Sequence, residues 1–302
     1  MSFALALLLA IGTTTICAAK TFVYVSNAHL DRSHRALPVH RLLRRQQTRG
    51  EPDRREWASR SGSDSRDSTG RNAHSILPDR SNKFVYAATL GADQVLQFTF
   101  DSKTGKLTPN DPAAVSPGPG HGPRHMVLSP DNKNLYVINE LSGYVTQYAV
   151  DSSKGTLTLI ESTSSVPADA GLAWGTPQAP VGAAPTPAAP PPKDEKPKVW
   201  AADIQITPNG KFLYSTERTT SKIALFIVAP GTGKLTYVTN FATEAQARGI
   251  RIDPSGQYLV ASGEKSDQLA VYKIDQSTGK LGEPGRYPVG NGANWVEIVD
   301  VQ

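Results

Sequence analysis

Ile204-Gln205-Ile206-Thr207-Pro208-Asn209-Gly210-Lys211-Phe212-Leu213-Tyr214 sets two short apolar runs on either side of a Pro-Asn-Gly reversal. Proline fixes φ at the first corner of a turn and Asn-Gly tolerates the tight reversal, so the segment predicts a β-hairpin. Beyond it, Ile223-Ala224-Leu225-Phe226 supplies a third alternating strand and Thr232-Gly233-Lys234-Leu235 a second turn. The order returns 46 residues later, in Ile250-Arg251-Ile252-Asp253-Pro254-Ser255-Gly256, Tyr258-Leu259-Val260, Leu269-Ala270-Val271-Tyr272 and Thr278-Gly279-Lys280-Leu281. Upstream it occurs twice more. One copy runs from Ser75-Ile76-Leu77-Pro78-Asp79 through Phe84-Val85-Tyr86 and Val95-Leu96-Gln97-Phe98 to Thr104-Gly105-Lys106-Leu107. The other runs from Leu128-Ser129-Pro130-Asp131 through Leu135-Tyr136-Val137 and Val145-Thr146-Gln147-Tyr148 to Lys154-Gly155-Thr156-Leu157.

Short strands with period-two alternation, grouped in fours and repeated, predict an all-β protein, a β-propeller of four-stranded blades. The chain ends extend the pattern. Asn294-Trp295-Val296-Glu297-Ile298-Val299 copies the first strand of a unit and Thr21-Phe22-Val23-Tyr24-Val25 the second. One composite blade built from both termini is therefore expected beside four full repeats, a closure that removes open sheet edges.

Three stretches stand outside the repeat. Residues 1–19 hold an apolar run from Phe3 to Ile11 followed by Cys17-Ala18-Ala19, the pattern of a signal peptide, so an exported protein is expected, with a cytoplasmic location as the alternative. Residues 20–28 then carry the closing strand, and residues 29–69 are Arg- and Ser-rich without a period and are expected to be disordered. Residues 167–199 are rich in proline and alanine, an extended surface excursion expected to interrupt the outer part of a blade. The propeller itself is assigned to 70–302. Setting the three stretches aside leaves room for about four and a half units of 46 residues, although 302 residues would hold six to seven.

Charge excludes more than it suggests. The net charge of +5 is concentrated in residues 29–80, which contain twelve Arg and seven acidic groups; no lysine stripe or aromatic platform accompanies it. Nucleic acid is therefore not an expected partner. The single cysteine excludes a disulfide framework and a cysteine zinc site, and the histidines lack metal-ligand spacing, so no metal or cofactor is expected. Apart from the leader, no stretch approaches a membrane span, and a monomer is expected.

Several ordered motifs carry a family resemblance. Gly122-Pro123-Arg124-His125-Met126, Asn139-Glu140-Leu141, Trp200-Ala201-Ala202-Asp203-Ile204, Arg248-Gly249 and Gly285-Arg286-Tyr287-Pro288-Val289-Gly290 resemble the seven-bladed propeller lactonases. That family includes the propeller-type 6-phosphogluconolactonases and is similar to fungal carboxy-cis,cis-muconate lactonising enzyme. The resemblance covers roughly 70–166 and 200–299 plus the strand at 21–27, with about two blades lacking. It implies hydrolysis of a sugar lactone, foremost 6-phospho-D-glucono-1,5-lactone to 6-phosphogluconate, in carbohydrate metabolism and the pentose phosphate pathway. It also implies a site of His74, Arg124, Glu140 and Arg248. Ala247 stands where the family usually has proline.

The residue chemistry runs parallel to that implication. Arg124 and Arg248 both lie six residues before their unit's proline, at the start of an innermost strand, so both guanidiniums are expected to face the channel and converge on one ligand. His74 or Glu140 is expected to take a proton from water, with His125 and Asp203 beside the arginines as substrate-binding residues. No Gly-x-Ser-x-Gly elbow is present. Simpler readings stand alongside: Glu140, Glu217 and Glu264 recur after the unit proline and so are expected as hairpin caps, and His74 as a structural histidine. Two other functions remain open, a non-catalytic binding propeller and an inactive, truncated lactonase.

Overall fold

The computed structural model describes residues 5–7, 20–27, 72–177 and 195–301. Apart from two three-residue 3-10 turns, Leu90–Ala92 and Ala168–Ala170, every regular element described is a strand. β1 (Leu5–Leu7) and β2 (Lys20–Asn27) open the chain. The first repeat forms β3 (Ala73–Pro78), β4 (Phe84–Thr89), β5 (Gln94–Asp101) and β6 (Lys106–Val115). The second forms β7 (Pro123–Leu128), β8 (Asn134–Asn139), β9 (Tyr144–Val150) and β10 (Leu157–Ser164). The third forms β11 (Ala201–Ile206), β12 (Phe212–Glu217), β13 (Lys222–Val228) and β14 (Leu235–Ala242). The fourth forms β15 (Ala247–Ile252), β16 (Tyr258–Gly263), β17 (Gln268–Lys273) and β18 (Gly285–Pro288), and β19 (Ala293–Val301) ends the series.

Each repeat is one four-stranded antiparallel sheet in chain order, and β19 pairs with β2 in the composite sheet expected from the termini. The innermost strands β3, β7, β11, β15 and β19 pack in succession, so the sheets stand as blades around a common axis. Apolar side chains fill the seams between blades. Tyr136, Ile138 and Val145 meet Ile204, Leu213 and Phe226 at one seam, and Tyr214, Ile223 and Leu225 meet Ile250, Leu259 and Tyr272 at the next. β4, β8 and β12 are buried at all six positions, each with a strand on either edge; β8 and β12 also have a blade on either face.

Two turns recur with their chemistry. The reversal after each inner strand places Asn82, Asn132, Gly210 or Gly256 at positive φ, and the outer turn places Gly105, Gly155, Gly233 or Gly279 there. Only glycine, or asparagine at some local cost, adopts that region readily. The outer turn also joins neighbours. Tyr86, Tyr136 and Tyr214 each donate a side-chain hydrogen bond to the turn carbonyl of the following blade, at Gly155, Gly233 and Gly279, over 3.2, 2.7 and 2.6 Å.

Structure corrects the sequence register in the first repeat. Leu77 pairs with Tyr86 as Val127 pairs with Tyr136, so Pro78 is the last residue of its strand and is equivalent to Leu128, not to Pro130. Arg80 takes the turn position that proline holds elsewhere. The turn is held instead by Asp79, whose carboxylate accepts from the backbone N–H groups of Ser81, Lys83 and Phe84.

The proline-rich stretch is also placed differently from expectation. It does not interrupt the outer part of a blade; it lies between β10, the outermost strand of the second blade, and β11, the innermost of the third. Its described ends are tied by a parallel bridge between Ala173 and Lys198. Residues 178–194 and 29–69 lie outside the described residues, as does the expected leader except for Leu5–Leu7, which pair with Val23–Val25. No helix among the described residues is long and apolar enough to cross a membrane.

Candidate active site

Every innermost strand begins with a β-bulge, which sets an extra residue against its partner strand and re-aims it. The extra residue is His74 in β3, Arg124 in β7, Arg248 in β15 and Asn294 in β19, while in β11 both Ala202 and Asp203 stand against one partner position. His74 therefore occupies the same station as the two arginines, a relation hidden while Pro78 was aligned with Pro130. The next ring of equivalent positions is the residue directly after the bulge. A second shared station follows each second strand. The backbone N–H groups of Leu90, Glu140, Arg218 and Glu264 all donate to the residue preceding their inner strand or the equivalent carbonyl: Asn72, Gly122, Trp200 and Gln246.

These two stations meet at one end of the channel. Arg124, 1% exposed, donates from Nε to Glu140 Oε2 over 2.5 Å. Its Nη1 donates to the Ala202 carbonyl over 2.5 Å and lies 3.3 Å from His125 Nε2. The other oxygen of Glu140 is 3.0 Å from Arg218 Nη2, so this buried carboxylate sits between two guanidiniums. Arg218 is itself fixed by its Nε donating to the Trp200 carbonyl and by its guanidinium lying 5.2 Å from the centre of the Trp200 ring. His125 Nδ1 is 2.8 Å from Asp203 Oδ1, and the His74 and His125 rings meet edge to face at 5.0 Å.

Burial and the surrounding cations set the protonation states. Burial, then the charges of Arg124, His125, Arg248 and Arg218, hold His74 well below the ordinary imidazole value, so the ring is neutral at pH 7. His74 Nδ1 is buried without a hydrogen-bond partner. Burial and Arg124 lower His125 as well, against the opposing pull of Asp203. Arg124 is lowered to about 10, chiefly by burial and by Arg218 and Arg248, with Glu140 opposing. Burial would raise Asp203, but His125 and the N–H groups of Ile250 and Ile204 hold it below the usual carboxylate value.

The expected residues thus fall into three groups. His74, Arg124, Glu140 and His125 come together. Asp203 is in the cluster, but its oxygens are taken by His125 and by two backbone N–H groups, so it positions its neighbours and is not a free ligand for substrate. Arg248 reaches the same neighbourhood and pairs with its own Glu264, repeating the sixteen-residue spacing of Arg124 and Glu140. Its side chain is 29% exposed, against 1% for Arg124 and 10% for Arg218. Of the three glutamates expected as hairpin caps, Glu217 alone among them caps its hairpin, accepting from Trp200, Thr219 and Thr220. The residue missed in the sequence is Arg218. It stands at Glu140's station with the opposite charge, and aligning the repeats on their positive-φ turn residues would have found it.

The family profile described as lactonase, 7-bladed beta-propeller, matches residues 18–298. The chain is 38% identical over 226 residues to a 6-phosphogluconolactonase of Serratia proteamaculans, covering 75% of this chain and 60% of that protein. It is 37% identical over 229 residues to a 6-phosphogluconolactonase of Yersinia pestis, covering 76% and 61%. The solved periplasmic gluconolactonase of Pseudomonas aeruginosa superposes with a TM-score of 0.61 at 26% identity, over 76% of this chain and 57% of that one. The chain spans about three-fifths of the length of the curated relatives it matches. Five sheets are present among the described residues where the family has seven blades.

Proposed function

The chain belongs to the seven-bladed β-propeller lactonase family, and from that premise we propose that it hydrolyses a sugar lactone at the channel mouth. Its substrate in this reading is 6-phospho-D-glucono-1,5-lactone, the activity in the name of its Serratia and Yersinia relatives. The observation that carries the proposal is a neutral imidazole, His74, packed against His125 with a buried nitrogen left unpartnered and under the positive charge of Arg124, Arg248 and Arg218. Both oxygens of Glu140 are engaged, one by Arg124 and the other by Arg218, which leaves His74 as the group free to act on water. His74 takes the proton from water as the oxygen attacks the lactone carbonyl carbon. Arg248, the most open of the three cations, faces the developing oxyanion. When the tetrahedral intermediate collapses, the bond from the carbonyl carbon to the ring oxygen breaks. The His74 proton passes to that oxygen, yielding the open hydroxy acid. Glu140 acts throughout by holding Arg124 and Arg218 in place.

We further place the protein outside the cytoplasm. The apolar segment before Cys17-Ala18-Ala19 and the periplasmic Pseudomonas relative support this. The test of function is acid release from glucono-1,5-lactone with and without the 6-phosphate, measured against the spontaneous background. Release lost in His74→Ala and reduced in Arg248→Ala supports the proposal. No release above background from a folded protein overturns it in favour of a non-catalytic binding propeller or an inactive lactonase.

A further inference from the structure

We propose that Trp295 is the platform on which the ring of the lactone stacks, an inference that rests on the lactonase reading and adds the residue that recognises the sugar ring. The argument begins with register. Trp295 follows the bulge of β19 directly and so shares its layer of the channel with His125 of β7 and Gly249 of β15. Its ring centre lies 6.0 Å from that of His125, which in turn contacts His74 and Arg124. The indole thus borders His125, the ring that touches both the proposed base and the buried arginine.

Burial along β19 separates it from the core. Val296 and Ile298 are buried in the seam with Val260 and Leu269 of the fourth blade, whereas Trp295 is 42% exposed. What sets this exposed indole apart is its place beside the His125–His74 pair, where a flat apolar ring can be covered by a ligand held at the site. Gly249 beside it carries no side chain, and a Cβ added there would come within 3.3 Å of Trp295 Cα and 3.1 Å of the Asn294 carbonyl oxygen. The neighbouring blade therefore approaches this strand closely, with room for no side chain at position 249.

The ligand this surface fits is a six-membered sugar lactone. Its hydroxyls project outward around the ring and leave an apolar C–H face for an aromatic plane. With that face on Trp295, the ring edge bearing the carbonyl is left for His74 and Arg248.

The probe is D-glucono-1,5-lactam, which keeps the ring and hydroxyls but resists hydrolysis. Its binding is measured by calorimetry and by indole emission in the wild type, Trp295→Ala, Trp295→Phe and Trp295→Leu, with folding checked by thermal melts. Binding is expected to weaken about tenfold in Trp295→Ala, to be largely kept in Trp295→Phe, and to be weak in Trp295→Leu, which keeps apolar bulk without a flat face. The emission change should vanish with the indole. Should Trp295→Ala fail to fold, the contrast between Phe and Leu decides. Equal binding in all variants, or no binding to the folded wild type, overturns the platform. A wild type that binds lactam through Trp295 yet releases no acid leaves the platform standing and removes the hydrolytic reading; normal turnover with indifferent variants does the reverse.

Discussion

At the scale of the residue, two ion pairs of the same construction stand in different surroundings, and that difference predicts opposite outcomes. Arg124 and Glu140 are buried, whereas the side chains of Arg248 and Glu264 are each 29% exposed. Glu140→Ala strands two guanidiniums in a dry site and should cost about 3–5 kcal/mol in denaturant unfolding, the range for a broken buried pair. Glu264→Ala, screened by water, should cost about 1 kcal/mol or less. Similar losses for the two would mean that burial does not separate them. For catalysis the decisive residue is His74. Removing it should lower kcat by about 10²–10⁴-fold, the usual contribution of a positioned base. Because its pKa is depressed, the acid limb of the kcat/KM profile should fall below pH ~6.5, the unperturbed imidazole value.

At the scale of the element, the turns carry both the pairing and the seams. Gly105 and Gly155 have nearly the same backbone, with φ of 75° and 70°. A Cβ at Gly105 would meet nothing within 4 Å, while one at Gly155 would fall 2.1 Å from the Phe84 ring of the preceding blade. Gly105→Ala should therefore cost only about 1 kcal/mol of backbone strain, and Gly155→Ala distinctly more, as read from thermal melts. Tyr136→Phe should cost about 1 kcal/mol by deleting the bond to Gly233.

These elements also show what could be read from sequence. Strands and outer turns were legible because period-two alternation and Thr-Gly-Lys-Leu are local signals. The register of the first repeat was not, because Pro78 resembles the turn proline while the turn itself is held by Asp79. That misalignment concealed the equivalence of His74 with Arg124 and Arg248. Arg218 was missed for a related reason. Its partner Glu140 is on another blade, across the proline-rich stretch, and no local pattern reports a contact made by folding.

At the scale of the whole molecule, His74 and His125 are both neutral in the folded state and lie near several fixed positive charges. An unfolded chain binds protons at these positions below about pH 6.5, where the folded protein resists them. Stability contributed by the neutral rings is thus fully present above that pH and lost as pH falls towards their depressed folded values. Melting temperature should drop on acidification from about pH 6.5, and the slope should lessen in His74→Gln. An unchanged slope would remove His74 from the titration.

The tyrosine bond between blades has a consequence for how many blades the protein can do without. Each bond runs one way, from a donor on one blade to an acceptor on the next, and each seam is complete once its two neighbours are present. Nothing in a seam registers how many others exist, so the free energy of the array is close to a sum over adjacent pairs, as in a linear chain of coupled units. A shorter array loses whole terms from that sum and leaves the remaining ones intact. The active-site cluster, which draws on adjacent blades for its closest contacts, inherits the same insulation. Among the described residues the bond links the first blade to the second, the second to the third and the third to the fourth, so each of these couplings can be removed singly by a Tyr→Phe change.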